Sequence, residues 1–354
     1  MYTHGSPPDV GSKEKPDVKI VFVVACPQGG MCGVGDYTER LAAALRESGA
    51  PVAVEFLKTW SFGAVRQLRR VHGKDRGTII HLQYPSLTMG KSPAPALLPL
   101  MFRNVFVTLH EFRIFSLSRK LLLFPYSVRA RGIIFSNAEE RSSFRRFFRT
   151  GEDALHVMPI GMNIPRSHSP ALSQRREKLI YFGQIAPNKG IETFLETVKI
   201  LRAGGSDLDV SLVGAVIESS RSFAEHVRKV AADHDISLKL DLTPEAVSTE
   251  LGGATLALLP FPEGVSNKRG SALACLDHGV TVLTVHSGLT PDWLRRTTYP
   301  ISSPDDAAAR ITELIEGKAP RARESDVLAH ELAARDWAEI GRAHVELYRQ
   351  VLRD

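Results

Sequence analysis

Short apolar runs alternate with amphipathic stretches along almost the whole chain. The run VKIVFVVA at 18–25 is continuously apolar, which is typical of a strand buried on both faces of a parallel sheet. Further strands are predicted at VAVEFL, TIIHLQ, VFVTLH, GIIFSN and LHVMPIGMNIP, which occupy 52–57, 78–83, 105–110, 132–137 and 155–165. Because helical stretches separate these runs, the pattern predicts a doubly wound parallel sheet.

A second alternating set follows a polar, aperiodic segment at 164–177, which is typical of a linker. Its predicted strands are KLIYFG, DVSLVG, ISLKL, TLALLP and VTVLT, at 178–183, 209–214, 236–240, 255–260 and 280–284. The pattern predicts an α/β protein with a disordered leader, two Rossmann-like domains and a terminal helix, at 1–16, 17–165, 178–335 and 336–354.

Length and composition fit a globular protein of two domains, with 354 residues, 43% hydrophobic and 24% charged. No apolar run reaches the roughly 18 residues that a membrane span requires. The N-terminus lacks the apolar segment of a secretory signal. Three cysteines, an odd number without metal-ligand spacing, favour a reducing cytosol, so we expect a cytoplasmic protein.

The net charge of +6 is concentrated at residues 101–150, which contain ten basic side chains and three acidic ones. Such a basic region suits an anionic membrane surface, a phosphorylated substrate or nucleic acid, and it is equally compatible with a solvated helix face. Since no nucleic-acid-binding motif accompanies the charge, we expect no nucleic-acid partner.

The loop after the first strand, CPQGGMCGVGD, contains glycines at four positions: Gly29, Gly30, Gly33 and Gly35. Glycines let a backbone approach a ligand, and the following helix, predicted from its cap at Asp36 to Ser48, offers N–H groups to phosphate. Gly33-Val34-Gly35 is a partial dinucleotide fingerprint with Thr38 in place of the third glycine and Glu55 on the second strand. A glycine-rich turn without a ligand remains the alternative.

Two further residues that could bind or react with a substrate follow predicted strands. His110 ends VTLH and could donate to a substrate oxygen or move a proton, although a structural role is the alternative. Lys189, in FGQIAPNKG, stands before a helix predicted at 190–203, so its ammonium adds to the helix dipole and suits a diphosphate. An ordinary lysine at a helix start is the alternative.

The loop PFPEGVSNKRGS, at 260–271, leads from a strand into a helix that begins near Gly270. Its polar and small residues are Glu263, Ser266, Lys268, Arg269, Gly270 and Ser271. Gly270 and Ser271 place N–H groups at the helix start, and Arg269 could neutralise charge when a bond to phosphate breaks. Glu263 could accept hydrogen bonds from sugar hydroxyls, while a basic surface loop is the alternative. Because open α/β sheets bind ligands at their carboxyl edge, we expect the site in the cleft between the domains.

In this order, several segments resemble the GT-B fold glycosyltransferases, in particular the large retaining group called family 4, also known as group 1. The segments are GVGDYTERLAAALRESG, VTLHE, VMPIGMNI, YFGQIAPNKGIETFLE and DWAEIGRAHVELYRQVL. The resemblance implies two Rossmann-like domains facing a cleft, with the terminal helix crossing back to the first domain.

The resemblance also implies metal-independent transfer of a sugar, with retention, from a nucleotide-diphosphate donor. Lys189 would contact the donor diphosphate, His110 would lie near the transferred sugar, and Gly33, Val34 and Gly35 would lie beside the phosphates. No resident cofactor is implied, and a UDP- or GDP-sugar is the expected donor.

This sequence departs from the family at the diphosphate site. Gln184, after Gly183, stands where an arginine usually accompanies the lysine, and Arg269 or Lys268 is the hypothetical substitute. The family also carries two glutamates, eight positions apart, in the region of the loop at 260–271, and their positions fall on Ser266 and Ala274 here. Glu263 is the candidate replacement for the first, and nothing obvious replaces the second. The EGVSNKRGS form resembles a variant in bacterial members.

The resulting hypothesis is a glycosyltransferase of bacterial glycan or glycoconjugate synthesis, in the polysaccharide biosynthesis class. The predicted catalytic residues are His110, Lys189 and Glu263, and Ser266 is added to the donor-binding set. Its acceptor would be a glycan, a lipid-linked compound or a small molecule with a hydroxyl group, and the basic region suggests peripheral contact with the inner membrane face. The alternatives are an NAD-dependent oxidoreductase, a sugar-nucleotide epimerase of the same fold, and a degenerate family member without turnover.

Overall fold

A computed structural model describes residues 19–28, 32–166, 172–216, 220–321 and 323–353. The chain divides into two compact units. Unit 1 comprises Met1–Met158 and Trp337–Asp354, and unit 2 comprises Pro159–Asp336. The predicted leader at 1–16 and the glycines at 29 and 30 lie outside the described residues.

Each unit contains one parallel sheet. In the described residues, the sheet of unit 1 has the order β2-β1-β3-β4-β5-β6, with strands Ile20–Ala25 (β1), Val52–Leu57 (β2), Ile79–Tyr84 (β3), Asn104–Leu109 (β4), Gly132–Phe135 (β5) and Leu155–Val157 (β6). The sheet of unit 2 has the order β12-β11-β10-β7-β8-β9, with strands Lys178–Phe182 (β7), Asp209–Gly214 (β8), Ser237–Leu240 (β9), Leu256–Leu259 (β10), Thr281–Thr284 (β11) and Tyr299–Pro300 (β12). The predicted α/β class with two parallel sheets is confirmed.

Helices connect successive strands in both units. Those before β7 are Gly33–Glu47 (α1), Phe62–His72 (α2), Leu98–Met101 (α3), Leu117–Leu121 (α4), Phe124–Arg129 (α5) and Ala138–Phe148 (α6). Those after β7 are Ile191–Ala203 (α7), Arg221–Asp233 (α8), Pro244–Gly253 (α9), Gly270–Asp277 (α10), Asp292–Thr297 (α11), Pro304–Ile315 (α12), Ser325–Ala333 (α13) and Trp337–Arg353 (α14). Short 3-10 turns occur at Ala94–Leu97, Glu152–Ala154 and Leu172–Gln174.

The central strands are buried because parallel sheets are covered by helices on both faces. Every residue of β1, β3 and β4 is buried. Side-chain caps begin several of the helices: Ser61 accepts from the Ala64 N–H at α2, and Asn137 accepts from the Glu140 N–H at α6.

The start of α1 corrects one prediction. The helix begins at Gly33 after Cys32, three residues before the predicted cap Asp36. Its first turn lies close to the end of β1, where a Cβ added at Gly35 would stand 2.9 Å from the Cys26 Sγ. Glycine permits this approach, so helical structure starts before the polar residue that the pattern favoured.

Two strands differ from the sequence pattern. The strand predicted at 155–165 pairs only over Leu155–Val157, since Pro159 has no N–H to donate to a ladder. The two-residue β12 was not predicted, because so short a strand has no detectable periodicity.

The terminal helix α14 belongs to unit 1 and packs on α1, where a Cβ added at Gly341 would stand 3.1 Å from the Ala44 Cβ. The Tyr348 hydroxyl lies 2.5 Å from Nδ1 of His81, a buried residue of β3, and the other ring nitrogen of His81 lies 2.8 Å from the Thr108 hydroxyl. The chain end is therefore joined to the centre of the first sheet.

Candidate functional site

The second sheet changes winding direction between β10 and β7. From β7 the order continues through β8 and β9 on one side, and from β10 through β11 and β12 on the other. Such a switch point leaves a crevice at the carboxyl ends of the two strands, which is where open α/β sheets bind ligands. A cavity of about 450 Å³ lies here, lined by residues that follow β7 and β10.

This cavity brings together six of the predicted site residues: Gly183, Gln184, Lys189, Arg269, Gly270 and Ser271. The predicted residues Glu263 and Ser266 belong to the same loop as Arg269 but do not line the cavity. Tyr181 and Phe261 line it and were not predicted, because one looks like a strand residue and the other like a loop hydrophobe.

The cavity has a strongly cationic wall. Of its lining residues, Lys189, Lys268 and Arg269 carry positive charge, and no lining residue is acidic. Gly270 and Ser271 form the first turn of α10, whose N-terminus adds a partial positive charge and N–H donors. An anion with several oxygens, such as a diphosphate, matches this wall.

Lys189 is fixed through its backbone at the start of α7. Its carbonyl accepts a hydrogen bond of 3.0 Å from the Tyr181 hydroxyl, and burial raises the pKa of that tyrosine, which keeps the donor protonated. The next residue, Gly190, has φ of +84°, and a Cβ added there would lie 2.1 Å from the Pro260 carbonyl oxygen. Only glycine allows the loops after β7 and β10 to approach so closely.

Arg269 is held from two sides. Its guanidinium lies over the Phe261 ring, 4.9 Å from the centroid, and its Nη2 lies 3.3 Å from Oε2 of Glu263. The Glu263 side chain is 79% exposed, so this pair is weak and can exchange for another anion. In this arrangement Glu263 contacts Arg269, and its predicted role with sugar hydroxyls stays a prediction.

Asn267 anchors the loop that carries Arg269. Its Oδ1 accepts hydrogen bonds from Nε1 of Trp293, at 2.9 Å, and from Nη2 of Arg335, at 3.1 Å. Arg335 is buried and stacks over the Trp293 ring, 4.7 Å from the centroid. The sequence reasoning missed this support because its three residues lie far apart along the chain.

In unit 1, His110 directly follows β4 and is half-buried. Its Nε2 lies 2.9 Å from Oε1 of Gln83, which leaves that ring nitrogen as the donor. The Tyr37 ring meets the imidazole edge-on at 4.9 Å between centroids. These contacts fix the ring orientation, while a role beside a transferred sugar stays a prediction.

Among the described residues, two members of the partial dinucleotide fingerprint have contacts within the protein. Thr38, in place of the third glycine, is buried and donates to the Val34 carbonyl at 2.6 Å. Glu55, the acidic residue of the partial fingerprint, accepts a 2.8 Å hydrogen bond from Nε2 of His72. Gly33 is open, with nothing within 4 Å of an added Cβ, so backbone approach by a ligand remains sterically allowed there.

Comparison with solved structures identifies the fold. A glycosyltransferase from Rickettsia africae matches with a TM-score of 0.74 at 13% identity, over 95% of this chain and 99% of that one. HepE from Anabaena, solved in complex with UDP, matches with a TM-score of 0.68 at 14% identity, over 94% of this chain and 100% of that one. Sucrose-phosphate synthase from Thermosynechococcus elongatus matches with a TM-score of 0.67 at 16% identity, over 95% of this chain and 99% of that one.

No protein-family model matches the chain, and no curated protein sequence matches it either. The structural matches show that the chain has the fold of the GT-B glycosyltransferases, as the sequence resemblance predicted. Their sequence identities are low, so they show the fold alone.

Within the described residues, no group of three or more His, Cys, Asp or Glu side chains could hold a metal ion. In the same part of the chain, no helix is long and apolar enough to cross a membrane.

Proposed function

We propose that this chain is a glycosyltransferase that takes a sugar from a nucleotide-diphosphate donor. The observation that carries the proposal is the cavity at the β7–β10 switch point, with three cationic side chains, no acidic one and a helix N-terminus in its wall. The GT-B fold supports it, since the structural neighbours include two proteins described as glycosyltransferases.

The donor proposed is a UDP- or GDP-sugar, and the UDP bound in HepE supports the first of these. Lys189 and Arg269 would neutralise the diphosphate as it leaves, together with the N–H groups of Gly270 and Ser271. Arg269 lines the same cavity as Gln184, which supports the hypothesis that it supplies the charge that Gln184 lacks. Retention at the anomeric carbon and independence from metal are part of the proposal.

In this proposal His110 lies near the transferred sugar, and Glu263 accepts hydrogen bonds from the sugar hydroxyls. Ser266 belongs to the donor-binding set, and Gly33, Val34 and Gly35 lie beside the phosphates. The acceptor class is a hydroxyl of a glycan, a lipid-linked compound or a small molecule. Bacterial glycan synthesis at the cytoplasmic face of the inner membrane is the setting that this chemistry and the basic region favour.

Thermal unfolding of the purified chain with UDP-, GDP-, dTDP- and ADP-sugars and with NAD tests this proposal. A donor that binds only the folded chain raises its melting temperature by mass action. We expect one nucleotide sugar to do so, Lys189→Ala to abolish the shift, and Lys199→Ala to keep it. Lys199 is the matched control because it lies on α7 in an exposed ion pair with Glu196.

The other outcomes separate the alternatives. A shift with NAD alone would establish the oxidoreductase instead. Conversion of a bound nucleotide sugar into its epimer without an acceptor would indicate the epimerase. If no compound stabilises the chain, the donor site is degenerate and the proposal is wrong.

A further inference from the structure

Five large apolar side chains between residues 114 and 128 of unit 1 point into solvent. They are Ile114, Leu117, Leu121, Phe124 and Val128, here called the exposed stripe. Their exposed fractions range from 55% at Leu121 to 74% at Ile114. Contiguous exposed apolar surface on a folded chain marks a site of interaction, whereas single exposed hydrophobes need no explanation.

The exposed stripe lies on one side of an almost continuous helical segment. Its members are spaced three, four, three and four residues apart, which places the helical ones on one face. Leu122 and Leu123, between α4 and α5, keep right-handed helical backbone angles. A common face therefore runs from Leu117 to Val128, preceded by Ile114 in a turn.

The opposite side of the same segment is built into the core. Phe112, Phe115, Leu123 and Tyr126 are buried there, and the Tyr126 hydroxyl donates to the Pro95 carbonyl at 2.7 Å. The segment is thus firmly seated on unit 1 while it presents a second apolar face. Because several large apolar side chains are exposed together on this outer face, the face is a candidate for contact with a partner.

Basic side chains dominate the charge around the exposed stripe, and the carboxylate of the buried Glu140 accepts hydrogen bonds from the Phe112 and Arg113 N–H groups. Residues 112–131 contain five basic side chains and no acidic one. The basic residues are Arg113, Arg119, Lys120, Arg129 and Arg131. Arg119 and Lys120 lie over the rings of Phe115 and Phe112, at 4.8 and 5.1 Å, and in the described part of the chain none of the five forms an ion pair with a carboxylate.

We propose that the exposed stripe inserts into the surface of an anionic lipid bilayer. Apolar side chains enter the boundary between headgroups and acyl chains, while the surrounding cations bind lipid phosphates. A second copy of the chain is the less suitable occupant, since a symmetric contact would bring two strongly basic surfaces together. This inference rests on the membrane setting of the proposed function and deepens it by naming the residues that meet the bilayer, and its test requires neither donor nor acceptor.

Flotation of the full chain with lipid vesicles tests the inference in the absence of nucleotides. We expect binding to vesicles of phosphatidylcholine mixed with phosphatidylglycerol, little binding to phosphatidylcholine alone, and weaker binding at high salt. Leu117→Ser should weaken binding to the anionic vesicles roughly tenfold, because a leucine side chain is lost from the buried area. Leu289→Ser, at an exposed leucine of unit 2, should bind like the wild type.

Thermal unfolding of each variant checks that the fold is retained, and Phe124→Ser provides a second removal from the exposed stripe if Leu117→Ser lowers the melting temperature. Equal binding of both stripe variants and the wild type would overturn the inference, as would equal weakening by Leu289→Ser. Failure to bind anionic vesicles would also overturn it. If light scattering shows that the wild-type chain is a dimer and that Leu117→Ser is a monomer, the exposed stripe serves self-association instead.

Discussion

Gly190 illustrates how a single residue fixes the geometry of the candidate site. Its positive φ and the nearby Pro260 carbonyl leave no space for a side chain, and Lys189 precedes it directly. The Lys-Gly pair was visible in the sequence, so the site residue was predictable. The reason for the glycine was not, since Pro260 follows a strand that is distant in the chain and adjacent only in the sheet.

We expect Gly190→Ala to lower the free energy of unfolding by about 2–4 kcal/mol, through backbone strain and a clash that moves one of the two loops. The same movement should weaken binding of the nucleotide donor. Urea unfolding gives the first quantity, and calorimetric titration gives the second.

Gly253→Ala is the matched control in unit 2. It lies at the end of α9 with nothing within 4 Å of an added Cβ, so the change should be neutral or stabilising by up to ~1 kcal/mol. Equal unfolding free energies for Gly190→Ala and the wild type would contradict the steric argument.

At the scale of elements, the loop between β10 and α10 depends on α11 and on Arg335, which lies between α13 and α14. Asn267 accepts from Trp293 and Arg335, and Arg269 follows two residues later. The sequence predicted a helix near Gly270 and basic residues ahead of it. It did not predict the Asn267 anchor, because a loop asparagine has no local signature that separates a buried acceptor from a solvated side chain.

We expect Asn267→Ala to leave the Trp293 N–H and the Arg335 guanidinium without this acceptor, at a cost of about 1–3 kcal/mol in unfolding free energy. Because the loop then loses its support, donor binding should weaken roughly tenfold. Equilibrium unfolding and calorimetric titration with the nucleotide sugar measure the two effects. Trp293→Phe removes one of the two donors and should give a smaller loss of binding, and unchanged affinity in Asn267→Ala would refute the anchoring role.

At the scale of the whole molecule, the last helix, α14, packs against buried residues of the first sheet. His344 of α14 is buried near His81 and Tyr348, and its Nδ1 donates to the Ile340 carbonyl at 2.8 Å. Burial lowers the pKa of His344 from 6.5 to about 4, and burial also lowers the pKa of His81. Both rings are therefore neutral in the folded state at neutral pH.

This burial predicts a loss of stability on acidification. Below its ordinary pKa of 6.5, His344 gains a proton in the unfolded chain but not in the folded one until the pH approaches 4. The free energy of unfolding should therefore fall through this window, by roughly 2 kcal/mol from this residue between about pH 7 and about pH 5. We expect His344→Leu to show a correspondingly smaller decline in urea unfolding at the two pH values, and an identical decline in both proteins would contradict the prediction.

Patterns in the sequence were enough to predict the α/β class, the two sheets, most strand positions and the Lys-Gly and Arg-Gly-Ser loops. These features depend on periodicity and on turn chemistry, which are local along the chain. The resemblance to GT-B glycosyltransferases gave the fold for the same reason, because it rests on short motifs in a fixed order.

Which of these residues lie next to one another depends on the three-dimensional packing of the chain. The order of the strands places the loops after β7 and β10 side by side, although more than one strand and helix separate them in the chain. The tertiary structure also shows that the side chains of the exposed stripe face solvent. An apolar helical pattern is the same whether its face meets the core or the outside, and only the packing of the rest of the chain distinguishes the two.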